Sequence, residues 1–371
     1  MKIPKEKIVQ EGKARIVTSE ARIPSKKMPV FYNPVMQTNR DITILLLNAI
    51  PDKAMRIADP LAGTGIRSIR FCKELDMGKI HHLFLNDQNE KAVLLIKENL
   101  FHNKLNRYDE NNEEIFKNKE KKQNHHIHIY QKDANQFLWG SSGFDYIDID
   151  PFGSPNPFLD IAVQRLSRGG ILAVTATDTS CLAGTYPQAC MRKYWALPLR
   201  TAIKHEIGLR ILIRKVQLIA AQYEKALTPI YSYSHEHYMR IFFRMEKSKT
   251  ACDTVLQQQG MVEGAGPLWN GALWDIPLAK KIAQAAEKIM STQTKKLTAL
   301  IAEESSIPSL PFYDIHEIAK KEKIKSVPSF EKIRKAIETE KHKVVHTHFS
   351  HTGIRTTMKK EHVINLLKKL S

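Results

Sequence analysis

Cysteine is scarce: Cys72, Cys181, Cys190 and Cys252 are the only four in 371 residues, and no two stand at CxxC spacing. That excludes a disulfide-stapled secreted scaffold and fits reduced thiols in a cytoplasm. Long apolar runs are missing as well. The longest, Ile42–Ile50, is too short to span a bilayer, RILIRKVQLIAA is broken by charges, and MKIPKEKIVQ has no signal-peptide core. No membrane role is expected. A strict GxGxxG is absent, and there is no internal repeat. Acid falls short of base, with Asp+Glu 39 against Lys+Arg 57 and a net charge of +18. A surplus of that size points to a polyanionic partner, nucleic acid first.

What is present is a chain of ordinary globular composition, 42% hydrophobic and 26% charged, long enough for two domains. QEGKARIVT leans towards strand, Pro29 and Pro34 keep VFYNP extended, and Asn39 or Asp41 can cap a helix starting at DITILLLNAI. AMRIADPLAGTGIRSIRFCKEL reads as strand, glycine loop and helix, the first unit of a doubly wound α/β fold. HHLFLND ends a second strand on Asp87, placed either to accept from ribose hydroxyls or to cap the helix carrying Ala92, Leu95, Ile96 and Leu100. Residues 104–124 are polar and read as an exposed loop or frayed helical insertion. HIHIYQKDA ends a third strand at Asp133-Ala134. His125, His126 and His128 lack an acid or cysteine at ligand spacing and read as strand and loop residues.

The fourth strand, FDYIDID, ends in Asp150-Pro151-Phe152-Gly153. A carboxylate, a rigid turn and an aromatic face thus stand at a strand's carboxyl end, where open parallel sheets bind ligands. GGILAVTATDTS is a fifth strand. A nicotinamide enzyme would keep the full glycine fingerprint, so the looser loop with an aspartate-proline-aromatic tip favours methyl transfer. Thr185–Ala226 is mostly helical with basic positions Arg192, Lys193, Arg200, Lys204, Arg210, Arg214 and Lys215, either a solvated face or an RNA-facing one. PIYSYSHEHYMRIFFRME reads as a hairpin closing a domain over residues 1–247. Residues 248–371 start with a glycine-rich connector and continue as a smaller basic α/β module, in which Arg355, His346 and His348 are either phosphate contacts or solvated surface groups.

The segments VFYNPVMQTNRD, AGTGIRSIRF, LNDQNEKA, the Asp133-Ala134-Asn135 tip, IDIDPFGSPNPFLD, ATDTSCLAGTYPQACMRKYWALPLRTAIKHEIGLRIL and PSFEKIRKAI…THFSHTGIRT occur in this order. Together they resemble the tRNA guanine-N2 dimethyltransferases that modify guanosine 26, over about residues 11–357. The resemblance implies a class I methyltransferase sheet using S-adenosylmethionine, with tRNA as partner and a C-terminal tRNA-binding domain of the family's own. It implies that Arg40 and Arg67 contact the cofactor, Asp87 holds its ribose, and Asp133 with the Ala134 backbone its adenine. Asp150 is implied as the catalytic carboxylate, with Pro151 and Phe152 shaping the guanine site. Many relatives carry a cysteine zinc cluster before GPLW, but here only Cys252 remains, so no metal is expected. No obligate protein partner is evident. The rival readings are an amino-methyltransferase for adenine N6 or another guanine, and a non-catalytic RNA-binding protein on the same shell.

Overall fold

The computed structural model describes residues 6–19, 30, 32–110, 113–118 and 126–371; His125 lies outside them. It opens on a hairpin of β1 (Glu6–Glu11) and β2 (Ala14–Ser19), turning at Gly12, whose φ of +55° suits a residue without Cβ. A 3-10 turn, Pro34–Met36, runs into α1 (Gln37–Ala49). Asn33 caps the 3-10 turn, its side chain accepting from Val35 N, and α1 begins after Met36 with no side-chain cap; Asn39 and Asp41 do not cap it but lie buried inside it. Pro34 is pre-set for a first turn, so the helical path starts before the apolar run does.

The expected βα units follow: β3 (Met55–Asp59), α2 (Ile66–Glu74), β4 (Ile80–Asn86) and α3 (Glu90–His102). Where a loop or frayed helix was expected, β5 (Leu105–Glu110) and β6 (Glu113–Asn118) form an antiparallel hairpin. Mutual backbone pairing satisfies such a segment whatever its hydrophobic pattern, which is why the polar composition misled. Next come β7 (His126–Tyr130), α4 (Ala134–Trp139), β8 (Phe144–Ile149), α5 (Asn156–Arg165) and β9 (Leu166–Ala176). Helices α6 (Thr179–Leu182), α7 (Pro187–Tyr194) and α8 (Lys204–Ala221) lead to the expected hairpin, β10 (Lys225–His235) and β11 (Tyr238–Lys247).

These strands make one seven-stranded sheet in the order β10-β11-β9-β8-β3-β4-β7. Strands β7, β4, β3, β8 and β9 are parallel, and β11 and β10 are added antiparallel at one edge. The chain winds outward in both directions from β3 and β8, so the switch point of the sheet falls between them.

After β11 come α9 (Lys249–Gln257), the hairpin β12 (Gln259–Val262) and β13 (Ala265–Trp269), α10 (Ile276–Ile289) and α11 (Thr292–Glu304). The glycine-rich stretch is therefore partly a hairpin, and its Trp269 and Trp274 are buried in the same core as the large sheet. The last part holds β14 (Tyr313–Asp314), α12 (Ile315–Lys321), α13 (Phe330–Thr339), β15 (Val344–Thr347), β16 (Ser350–Thr356) and α14 (Lys360–Leu370), with its own apolar cluster around Ile333, Ile337 and Val363. Arg355 and His348 do not face phosphate. Arg355 is buried between Glu206 and Glu304, both at 2.9 Å, and the His348 ring bonds Glu304 at 2.6 Å. A guanidinium brought that close to two buried carboxylates is retained as a clamp between α8, α11 and β16. Among the described residues, no helix is long and apolar enough to cross a membrane, and no group of three or more His, Cys, Asp or Glu could hold a metal.

Candidate active site

A cavity of about 610 Å³ opens at the carboxyl ends of the parallel strands, beside the switch point. Each strand delivers a residue there: Asp59 ends β3, Asp87 follows β4, Asp133 follows β7, Asp150 follows β8 and Thr177 follows β9. All eight residues implied by the resemblance, Arg40, Arg67, Asp87, Asp133, Ala134, Asp150, Pro151 and Phe152, line this one cavity.

The glycine loop is tied to the second strand. Asp87 accepts from Gly63 N at 2.9 Å and from Asn89 N at 2.9 Å. Burial raises the Asp87 carboxyl, and those two N–H groups oppose it. Gly65 has φ +76°, where a side chain would be strained, and a Cβ there would press on the Ile96 side chain of α3 at 3.2 Å. Asp133 caps α4, accepting from Asn135 N and Gln136 N. Its capping and its place on the cavity wall are compatible.

At the end of β8, Arg67 bonds Oδ2 of Asp150 and approaches Asp148 at 3.2 Å. Arg67 also donates to Asn39 at 3.0 Å and Thr43 at 3.3 Å on α1. Among the described residues, nothing bonds to Oδ1 of Asp150. Beneath lies Arg240, fully buried, bonding both oxygens of Asp148 at 2.9 and 2.7 Å and Thr175 at 2.8 Å. Burial would raise the Asp148 carboxyl, but Arg240 and Arg67 outweigh it and hold it below the usual range. Asp59, bonded by Ser68 at 2.8 Å, goes the other way. Burial pushes it up to about 7 against the pull of Arg67, and the charges of Asp148 and Asp150 add to the rise.

Arg40 reaches the cavity wall but spends its guanidinium on Glu11, at 2.6 Å to each oxygen. Arg70 joins the same carboxylate at 2.8 Å. Burial alone would raise Glu11; the two arginines outweigh it and bring it to about 2. Phe152 is 44% exposed at the cavity mouth. The turn behind it has Gly153 at φ +85° and is pinned to Thr177, which accepts from Gly153 N at 2.7 Å.

The sequence reading missed Asn39, Thr43, Asp59, Asp148, Thr177 and Arg240 as parts of the site. Two of them left a signal: Asp148 interrupts an apolar strand, and Arg240 does the same in YMRIFF. A charge in the middle of a buried strand demands a partner.

The donor set fits S-adenosylmethionine. Carboxylates at three strand ends suit ribose hydroxyls, an adenine amine and a sulfonium, and the glycine loop admits close backbone approach. The family model for N2,N2-dimethylguanosine tRNA methyltransferase matches residues 11–265 and 262–368. The chain is 38% identical to a tRNA (guanine(26)-N(2)/guanine(27)-N(2))-dimethyltransferase of Aquifex aeolicus, covering 98% of this chain and 96% of that protein. It is 36% identical to the tRNA (guanine(26)-N(2))-dimethyltransferase of Pyrococcus horikoshii, covering 98% of each. A solved structure of Trm1 from P. horikoshii with S-adenosyl-L-methionine superposes with a TM-score of 0.86 at 35% identity, over 97% of this chain and 99% of that one. With the sheet order and the cavity already in place, these matches show that the chain belongs to the N2,N2-dimethylguanosine tRNA methyltransferase family.

Proposed function

We propose that the protein methylates the exocyclic N2 of guanosine 26 in tRNA, once or twice, with S-adenosylmethionine as donor. The observation that carries this reading is Asp150, held by Arg67 at the switch-point cavity and followed by the half-exposed ring of Phe152. When bound, the cofactor supplies a methyl group already activated on sulfur. Asp87 is assigned to the ribose, and Asp133 with the Ala134 backbone to the adenine. Arg67, and Arg40 within the limits set by its pairing to Glu11, bound the remaining end of the cavity.

The N2 lone pair of guanine is delocalised into the ring, so the amine is a weak nucleophile. A carboxylate that accepts its N–H protons localises the lone pair and takes up the developing charge. Arg67 engages Oδ2 of Asp150 and leaves Oδ1 for that task. Pro151 and the Gly153–Thr177 contact fix the tip, and Phe152 offers a face on which the base can stack. A paired guanine has to leave its helix to reach this depth. Positioning is the main contribution asked of the protein, since the methyl group needs only in-line approach.

The reading includes tRNA as substrate without an obligate protein partner, and a cytoplasmic site of action. The test is methylation of a tRNA transcript with and without its position-26 guanine, followed by nucleoside mass spectrometry. N2-methyl and N2,N2-dimethylguanosine from the first transcript alone support the reading. N6-methyladenine would favour the rival base, and absence of cofactor binding by calorimetry would favour a non-catalytic shell.

A further inference from the structure

Helix α7 and the turn after it stand against the loop that carries Phe152. Tyr194 OH bonds Ser154 Oγ at 3.0 Å, Asn156 Nδ2 donates to Lys193 O at 2.9 Å, and Lys193 Nζ donates to Asp178 at 2.6 Å. These bonds tie α7 to the loops after β8 and β9. The same segment exposes Tyr186 by 60% and Trp195 by 50%, and its Arg192 and Arg200 are exposed as well. No carboxylate among the described residues pairs with either arginine.

Trp195 is the unusual member. It caps α7 in the left-handed region, φ +57°, a conformation bulky residues rarely adopt and one that clusters at ligand-binding positions. Lys215 lies over one face of its ring, 2.9 Å from the centroid, and Arg214 donates to its carbonyl at 3.2 Å. Lys215 thus covers one face of the indole and Arg214 ties down its backbone, while the residue stays half exposed to solvent. Fixed aromatic rings interleaved with unpaired cations are the composition that binds unpaired nucleotides, by stacking and by phosphate contact.

We infer that Trp195, with Arg192 and Arg200, forms a docking surface for an unpaired stretch of the tRNA substrate, continuous with the cavity mouth at Phe152. The inference rests on the function proposed above. Charge complementarity and the direct bonding of α7 to the Phe152 loop select RNA over other occupants.

The test compares steady-state methylation of one tRNA transcript by the wild type, Trp195→Ala, Trp195→Phe, Arg192→Gln and Trp139→Ala. Trp139 is 63% exposed but closes α4 just before β8 begins, at the end of the sheet away from the cavity. Trp195→Ala should raise KM for tRNA about tenfold, the loss of one stacked base, with cofactor affinity by calorimetry retained. Trp195→Phe should recover most of that loss, and Arg192→Gln should lower the slope of log KM against log salt by about one. If Trp195→Ala fails to bind cofactor, the Phe and Arg192 variants decide. An unchanged KM in Trp195→Ala, or an equal rise in Trp139→Ala, overturns the inference. Failure of the wild type to methylate tRNA overturns the functional reading itself, before any variant is compared.

Discussion

Arg240 bonds both carboxylate oxygens of Asp148 although one lies on β11 and the other on β8, with β9 between them. Asp148 is also within 3.2 Å of Arg67, and Arg67 in turn bonds Asp150. The proposed catalytic carboxylate is thus the outer end of a buried chain of alternating charge. Removing one member leaves the next uncompensated. Arg240→Met should cost about 3–5 kcal/mol, the range for breaking a buried ion pair from one side. Combining it with Asp148→Asn should cost clearly less than the sum of the two single changes, because the orphaned charge is then gone. Urea unfolding of the four proteins measures this, and strict additivity would sink the coupling.

Asp150→Asn keeps the size of the side chain and an oxygen for Arg67 but loses the charge that accepts the N2 protons. The turnover number should fall by about 10²–10⁴-fold, the usual contribution of a positioned base. Cofactor affinity by calorimetry should stay near that of the wild type. Normal turnover in this variant removes Asp150 from the mechanism.

Asp87→Ala acts on the other side of the cavity. It removes the acceptor proposed for the ribose and also the bond to Gly63 N that shapes the glycine loop. A hydrogen bond to a charged group is worth about 1.5–3 kcal/mol, so cofactor affinity should weaken by roughly 10–150-fold. Much of the lost rate should return at saturating cofactor, which separates this residue from Asp150. A variant with undiminished affinity would place the ribose elsewhere.

Glu11 sets an acid limb. Its folded value of about 2 lies below the ordinary 4.5, so its stabilisation is fully present above about 4.5 and disappears as pH falls towards 2. The shift corresponds to about 3 kcal/mol in all. Glu304, also held at about 2 against its burial by His348 and Arg355, adds to the same window. Stability measured by urea at several pH values should therefore fall between 4.5 and 2. Glu11→Gln should flatten that fall while lowering stability at neutral pH, since Arg40 and Arg70 lose a buried partner. An acid limb as steep as that of the wild type would contradict the assignment.

Much of the site was legible because its parts are local. AGTGIRS between an apolar strand and an amphipathic helix announces a ligand loop, and Asp87, Asp133 and Asp150 each close a β-rich run at the end where such sheets bind. The helix start at Gln37 and the β5–β6 hairpin were not, since a 3-10 turn and a polar hairpin carry little hydrophobic period. Arg355, read as a surface cation, became a buried clamp because its two carboxylates come from helices 51 and 149 residues away.

By itself the amino-acid order determined the alternating strand–loop–helix units, the basic surplus and the acids at the strand tips. Those follow from propensity, turn chemistry and side-chain period, which act over a few residues. Only the tertiary structure decided which cation faces which anion. Arg40 is given to Glu11 across 29 residues, and Arg67 to Asp150 across 83. Arg240 is given to Asp148 across 92. Two arginines of similar standing in the chain therefore do different work. Coulomb interaction in a low-dielectric interior depends on ångströms between elements, and sequence separation does not carry that distance.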